Sequence, residues 1–120
     1  MKMSQLPVIQ VPKTFLSILN HLYEIEKKLA LHGDPGNASR NVEKIKDAFR
    51  EEGVFYEDPS GQPFKETRTD LDATISGQST ENLVVAEVIK PVIRAGLTEL
   101  SRVVQKGIVV VQSKEIGDEK

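Results

Sequence analysis

Apolar positions change their period twice along this chain, and the changes divide it into three kinds of segment. From Thr14 to about Leu31 they fall at Phe15, Leu16, Ile18, Leu19, Leu22, Tyr23, Ile25, Leu29 and Leu31, mostly three and four residues apart. That spacing predicts one amphipathic helix of about five turns. Thr14 is the expected N-cap, and Gly33 with Pro35 the stop. After the turn-forming run from His32 to Asn37, a shorter helix is expected, capped by Asn37 or Ser39. It buries Val42, Ile45, Ala48 and Phe49 and ends at Gly53. Pro and Gly then crowd Asp58 to Pro63, a connector that fits neither a helix interior nor a central strand. Beyond it, Glu87 to Gly96 and Gly107 to Val111 are dense in Val and Ile around a Pro and a Gly, which reads as short strands. Between Leu83 and Val104 the periodicity also permits helix; Pro91 and the β-branched density decide for strand.

The expected fold class is therefore α+β: a helical hairpin over residues 1–53, followed by a small all-β domain over 54–120. Two apolar helix stripes cannot cover themselves, and hairpins of this kind commonly pair with a second copy to close a four-helix bundle. The expectation is thus a homodimer, with Leu16, Leu19, Leu22, Ile45 and Phe49 at the dimer interface. The polar tail from Lys114 is expected to fray.

Composition narrows the chemistry. The chain has 120 residues, of which 38% are hydrophobic and 5% aromatic with no Trp, so its core is aliphatic and modest. Sixteen basic and eighteen acidic residues are mixed along it, net charge −2, which leaves no electrostatic footprint for nucleic acid or an anionic membrane. With no cysteine there is no disulfide, thiolate nucleophile or cysteine-type zinc site. Neither a long apolar leader nor a spanning run is present, so the expected location is cytoplasmic.

Catalytic equipment is equally sparse. His21 and His32 lack metal-ligand spacing, and His32 suits a helix C-terminus. Asp70 and Asp72 form the closest carboxylate pair, which reads as a solvated strand edge before an acid–base pair. No serine sits in a nucleophile elbow, and no glycine-rich loop carries the lysine of a phosphate cradle. The chain is expected to be no enzyme and to hold no cofactor or metal. Arg94 and Arg102 flank the apolar runs, where an arginine is either a solvated edge residue or a bidentate contact to a partner.

The order Glu87-Val88-Ile89-Lys90-Pro91-Val92-Ile93-Arg94-Ala95-Gly96, then Arg102, then Gly107-Ile108-Val109-Val110-Val111, resembles the C-terminal β-domain of GrpE proteins, whose sheet ends in Glu-Val-Leu, Pro, Tyr-Arg, Gly, Arg, Val-x-Val. Phe15 to Leu22 is similar to the family helix Leu-Leu-Pro-Val-Leu-Asp-Asn-Leu, and Arg50 to Val54 to its Glu-Lys-x-Gly-Val. Gly61-Gln62-Pro63-Phe64 and Asp72-Ala73-Thr74-Ile75 stand where the family has Gly-x-Pro-Phe and a Glu-Ala-hydrophobic strand. The likeness runs from about Phe15 to Val111. Only Met1 to Lys13 precede it, where the family carries a long paired helix; a second family arginine is Gln105 here.

The resemblance implies a dimeric bundle and a nucleotide exchange factor that promotes ADP release from a DnaK-type chaperone, docking on its ATPase domain through Arg94, Arg102 and Val111. The matching arginine for Arg102 belongs to the family's chaperone contact. Val111 reads equally as an ordinary strand core residue. The alternative is an interaction or scaffold protein that keeps the fold without the exchange activity.

Overall fold

The computed structural model describes residues 10–96 and 100–114. Two helices precede six strands: α1 (Lys13–His32), α2 (Ala38–Glu51), β1 (Val54–Glu57), β2 (Leu71–Ser76), β3 (Leu83–Lys90), β4 (Val92–Ala95), β5 (Arg102–Gln105) and β6 (Gly107–Ser113). The first nine residues, the segment 97–99 and the tail from Glu115, which contains most of the stretch expected to fray, lie outside the described residues.

Gly33 ends α1 and Asn37 occupies the N-cap position of α2 as expected, whereas Thr14 does not cap α1. Pro12, not Thr14, is the N-cap of α1, and its carbonyl accepts the Phe15 N–H at 2.9 Å. Asn37 precedes α2 in the left-handed conformation without capping it through its side chain. The cap is supplied from further back by Asp34, whose two carboxylate oxygens accept the Ala38 and Ser39 N–H groups at 2.6 and 3.0 Å. These bonds, the one from Ser39 first, hold the Asp34 carboxyl below the usual carboxylate range.

The strands form two three-stranded sheets, ordered β1-β4-β5 and β2-β6-β3. Only Pro91 separates β3 from β4, and only Lys106 separates β5 from β6. The arms β3–β4 and β5–β6 are thus one long hairpin, and both arms leave one sheet and enter the other at the same level. Pro91 has no N–H with which to continue a ladder, so the first arm breaks there. On the second arm Gly107 makes the crossing possible. A Cβ at Gly107 would lie 2.9 Å from both Leu71 Cδ2 and Val92 Cγ2 and 3.3 Å from the Lys90 carbonyl oxygen. β1 joins the first arm antiparallel to β4, while β2 joins the second arm parallel to β6, from Leu71 opposite Gly107 to Ser76 opposite Gln112.

Register shifts in β3 between Val85 and Glu87 and between Val88 and Lys90 leave Ala86 and Ile89 without a partner residue on β6. Ile89 is consequently pushed into solvent and is 50% exposed. The proline-rich connector is no free loop. Gly61 and Phe64 donate N–H bonds to the Val85 and Leu83 carbonyls, and Val85 donates to Gln62, so this segment covers the outer edge of β3.

The hairpin of helices does not form a four-helix bundle with a second copy, contrary to the expectation from its apolar stripe. Among the described residues there are two helices, and the centre of the stripe is already covered by strands of the same chain, while Ile18, Ile25 and Leu31 stay exposed. Leu19, Leu22, Tyr23 and Val42 share one cluster with Val54, Tyr56, Ile93 and Val109, which runs across the helix–strand boundary at Gly53. Tyr23 meets Tyr56 edge-on at 5.8 Å, and Phe15 meets Phe49 at 5.1 Å. Among the residues assigned to a dimer contact, Leu19 and Leu22 are buried in this core, Leu16 and Phe49 pack half-buried against it, and Ile45 alone is substantially exposed. The stripe looked uncompensated because sequence spacing does not show that the strands turn a second apolar face toward it.

Polar bonds hold the layers as well. The side-chain amides of Asn20 and Gln105 exchange two hydrogen bonds of 3.0 Å, and Gln105 Nε2 also donates to the Pro91 carbonyl at 3.0 Å. Lys27 donates to the Val88 carbonyl, and Tyr23 to Asp58. Glu26 accepts from both Tyr56 and Lys46.

Leu19→Ala is expected to cost about 2–5 kcal/mol, the range for truncating a buried leucine. Urea unfolding should give the same loss at every protein concentration, whereas an intersubunit role would make it concentration-dependent. Gly107→Ala should cost about 1–3 kcal/mol through overpacking at the crossing, measured in the same way.

Candidate functional site

An interlocked charged cluster lies where the two sheets meet. Asp70 immediately precedes β2, and its backbone carbonyl accepts the Gly107 N–H at 3.0 Å, which fixes it beside the crossing. Arg68, two residues earlier, grips its carboxylate with two bonds, Nε to Oδ1 at 3.0 Å and Nη2 to Oδ2 at 2.8 Å. The remaining arm of that guanidinium reaches Gln62 Oε1 at 3.0 Å. From the other sheet, Arg94 Nη2 approaches Asp70 Oδ2 at 3.5 Å while its Nε donates to Glu57 Oε1 at 2.8 Å. The cluster ties β1, β4, the connector and the start of β2 together.

Two guanidiniums around one carboxylate are matched by the second carboxylate, Glu57, so the cluster has no net charge to attract a ligand. The Asp70 side chain is 16% exposed. Its carboxyl is held below the usual carboxylate range, first by the hydrogen bonds from Arg68 and further by the charges of Arg68 and Arg94, against the opposing effect of burial. The Arg68 guanidinium is pushed up by the same pair.

The residues assigned to a partner contact do not share one surface. In the β4–β5 register Arg94 stands opposite Val103 and Ala95 opposite Arg102. Neighbouring residues of a strand point to opposite faces, so Arg94 and Arg102 lie on opposite faces of their sheet. Arg94 is engaged within the chain by Glu57 and Asp70, and Arg102 is exposed at the start of β5. Val111 lies in the middle of β6, between Ile75 and Val85, and is completely buried. Its side chain belongs to the core and presents no surface.

Other candidates are also placed. His21 and His32 are exposed on α1, and among the described residues no group of three metal-ligating side chains occurs. Asp72 is exposed and faces Lys106 at 3.8 Å, whereas Asp70 is held by Arg68, so the two carboxylates work with different partners. Burial, reinforced by Asp58 for Tyr23 and by Glu26 for Tyr56, pushes both tyrosine hydroxyls well above their ordinary value, which keeps them neutral hydrogen-bond donors.

Sequence reasoning missed Arg68, Glu57, Tyr56, Glu26 and Lys46. The Arg68-Thr69-Asp70 spacing was a faint local signal; the rest are long-range pairings without one. Among the described residues no helix is long and apolar enough to cross a membrane. No family model, curated protein or solved structure matches the chain.

Because the folded-state pKa of Asp70 is depressed, its stabilising contribution is present above the unfolded value of about 4 and is lost as pH falls through the folded one. Asp70→Asn should cost about 2 kcal/mol at neutral pH and lower Tm by roughly 8 °C. Calorimetry from neutral pH to pH 3 should show the wild-type advantage shrinking at the acid end.

Proposed function

We propose that this chain is a protein-binding module of the GrpE kind, a cytoplasmic co-chaperone that promotes ADP release from the ATPase domain of a DnaK-type chaperone. The observation that carries the reading is the order of the Pro91, Arg94, Gly96, Arg102 and Val111 positions on a compact six-stranded unit. An exchange factor accelerates release only insofar as it binds the open-cleft state more tightly than the closed one. A surface that yields under that load transmits little of the difference, so the unit must resist deformation. The two-sheet hairpin and the Arg68–Asp70–Arg94–Glu57 cluster supply that resistance. In this reading Arg102 makes the contact, Arg94 supports the unit that carries it, and Val111 fills its core.

One observation favours a second reading, an interaction or scaffold protein without exchange activity. Of the residues that resemble the family's contact set, Val111 is buried and Arg94 is engaged internally.

Stopped-flow release of a fluorescent ADP analogue from a DnaK-type chaperone distinguishes them. The chain is expected to accelerate release. Arg102→Ala should reduce that acceleration roughly 30-fold if Arg102 meets a buried carboxylate, the consequence of losing about 2 kcal/mol of binding. No acceleration by the wild-type chain would leave the scaffold reading; acceleration indifferent to Arg102→Ala would move the contact elsewhere.

A further inference from the structure

The edges of the two sheets are not equally protected. The outer edge of β3 is covered by the Gly61–Phe64 segment, and β1 and β5 are short, four residues each. β2 is longer, six residues, and among the described residues it pairs only with β6. It contains no proline, glycine or bulge, the usual devices that keep an edge from accepting another strand. Its one charge, Asp72, makes only a long, solvent-exposed pair of 3.8 Å with Lys106 of the same chain, so the carboxylate stays accessible beside the edge.

Ile75 of this edge also lines a groove of about 510 Å³, whose apolar floor of Pro63, Phe64, Ile75 and Leu83 is flanked by the polar Lys65, Glu66, Thr80 and Asn82. Ile75 belongs to both features. It sits level with Val111 and Val85, which are 0% and 2% exposed, yet is itself 41% exposed, since among the described residues no strand lies beyond β2. A strand added to β2 would place alternate side chains on the face that Ile75 shares with the groove.

We propose that the β2 edge receives an extended segment of a partner protein by strand addition, with an apolar side chain of that segment seated beside Ile75 in the groove. The segment is further specified by Asp72, three residues from Ile75 and on the opposite face. A Lys or Arg three residues from the apolar anchor lies opposite that carboxylate. Backbone bonds supply the attraction, and the anchor and the basic residue supply the selection.

A second copy of this chain fits less well. In an antiparallel pairing of two β2 strands, the residue set opposite Ile75 is Asp72, Ala73 or Leu71 in the three central registers. Asp72 would bring a charge to the groove and Ala73 would leave it empty. Leu71 is already 5% exposed in its own core and cannot supply the anchor. The surface also lies in the other sheet from Arg102, so it stands or falls apart from the chaperone contact.

The test uses the labelled full chain and the synthetic peptide Thr-Lys-Val-Thr-Leu-Thr-Val, followed by amide NMR and hydrogen exchange. Binding should shift the amides from Leu71 to Ser76, slow exchange of alternate ones, and weaken about tenfold or more in Ile75→Lys, whose exposed site leaves the rest of the spectrum unchanged. Only alternate N–H groups of an added strand face the edge, so two peptides N-methylated on alternate residues must differ: one binds and the other does not. Equal behaviour of these two peptides, or no shift in β2 at millimolar peptide, overturns the proposal. Concentration-dependent protection of β2 without peptide overturns it in favour of the second copy.

Discussion

Everything in this molecule depends on the level at which the long hairpin changes sheets. At the crossing one arm gives up its backbone donor and the other its side chain. Pro91 removes the N–H on one arm, and Gly107 removes the side chain on the other, where a methyl group would meet Leu71, Val92 and the Lys90 carbonyl. The polar groups left open there are used at once. Gln105 donates to the Pro91 carbonyl and Gly107 to that of Asp70. Because Gln105 also clasps Asn20, the position of α1 is set by the same crossing.

That coupling explains why the helices stay with the strands. An apolar stripe is indifferent to what covers it, so either a second hairpin or a sheet would satisfy Leu19 and Leu22. The polar bonds are not indifferent. Tyr23 to Asp58, Tyr56 to Glu26, Lys27 to Val88 and Asn20 to Gln105 each need a partner at one position, and all four partnerships join α1 to the strand layer or its connector. Moving the hairpin away would leave these groups to find water or new partners, at about 1 kcal/mol or more for each bond lost.

The electrostatics follow the same logic. Arg94 looks, in the sequence, like a residue held out for a partner. In the fold it closes a neutral cluster that spans both sheets, and the exposed arginine is the one on the other face. Any protein partner of this unit therefore meets a surface whose shape is set from within. Its two most evident contact features, the exposed arginine of β5 and the open edge of β2, lie in different sheets.

The sequence by itself determined the local elements. The three- and four-residue spacing of Phe15 to Leu31 specifies a helix because side chains so spaced fall on one face. Pro and Gly between runs of Val and Ile specify breaks between strands, because neither residue continues the ladder on its own terms. What covers those faces was decided only by the tertiary structure. The dimeric bundle was a reasonable reading of the helix stripe, yet the strands of the same chain cover it, since hydrophobic burial is non-directional and periodicity carries no address. Val111 illustrates the same limit: a valine in an apolar run is core or contact according to what surrounds it, here Ile75 on one neighbouring strand and Val85 on the other, both distant in sequence. The roles of Arg68, Asp70 and Arg94 likewise depend on pairings between distant segments. A charge announces that it needs a partner, but only the folded chain says which one it has.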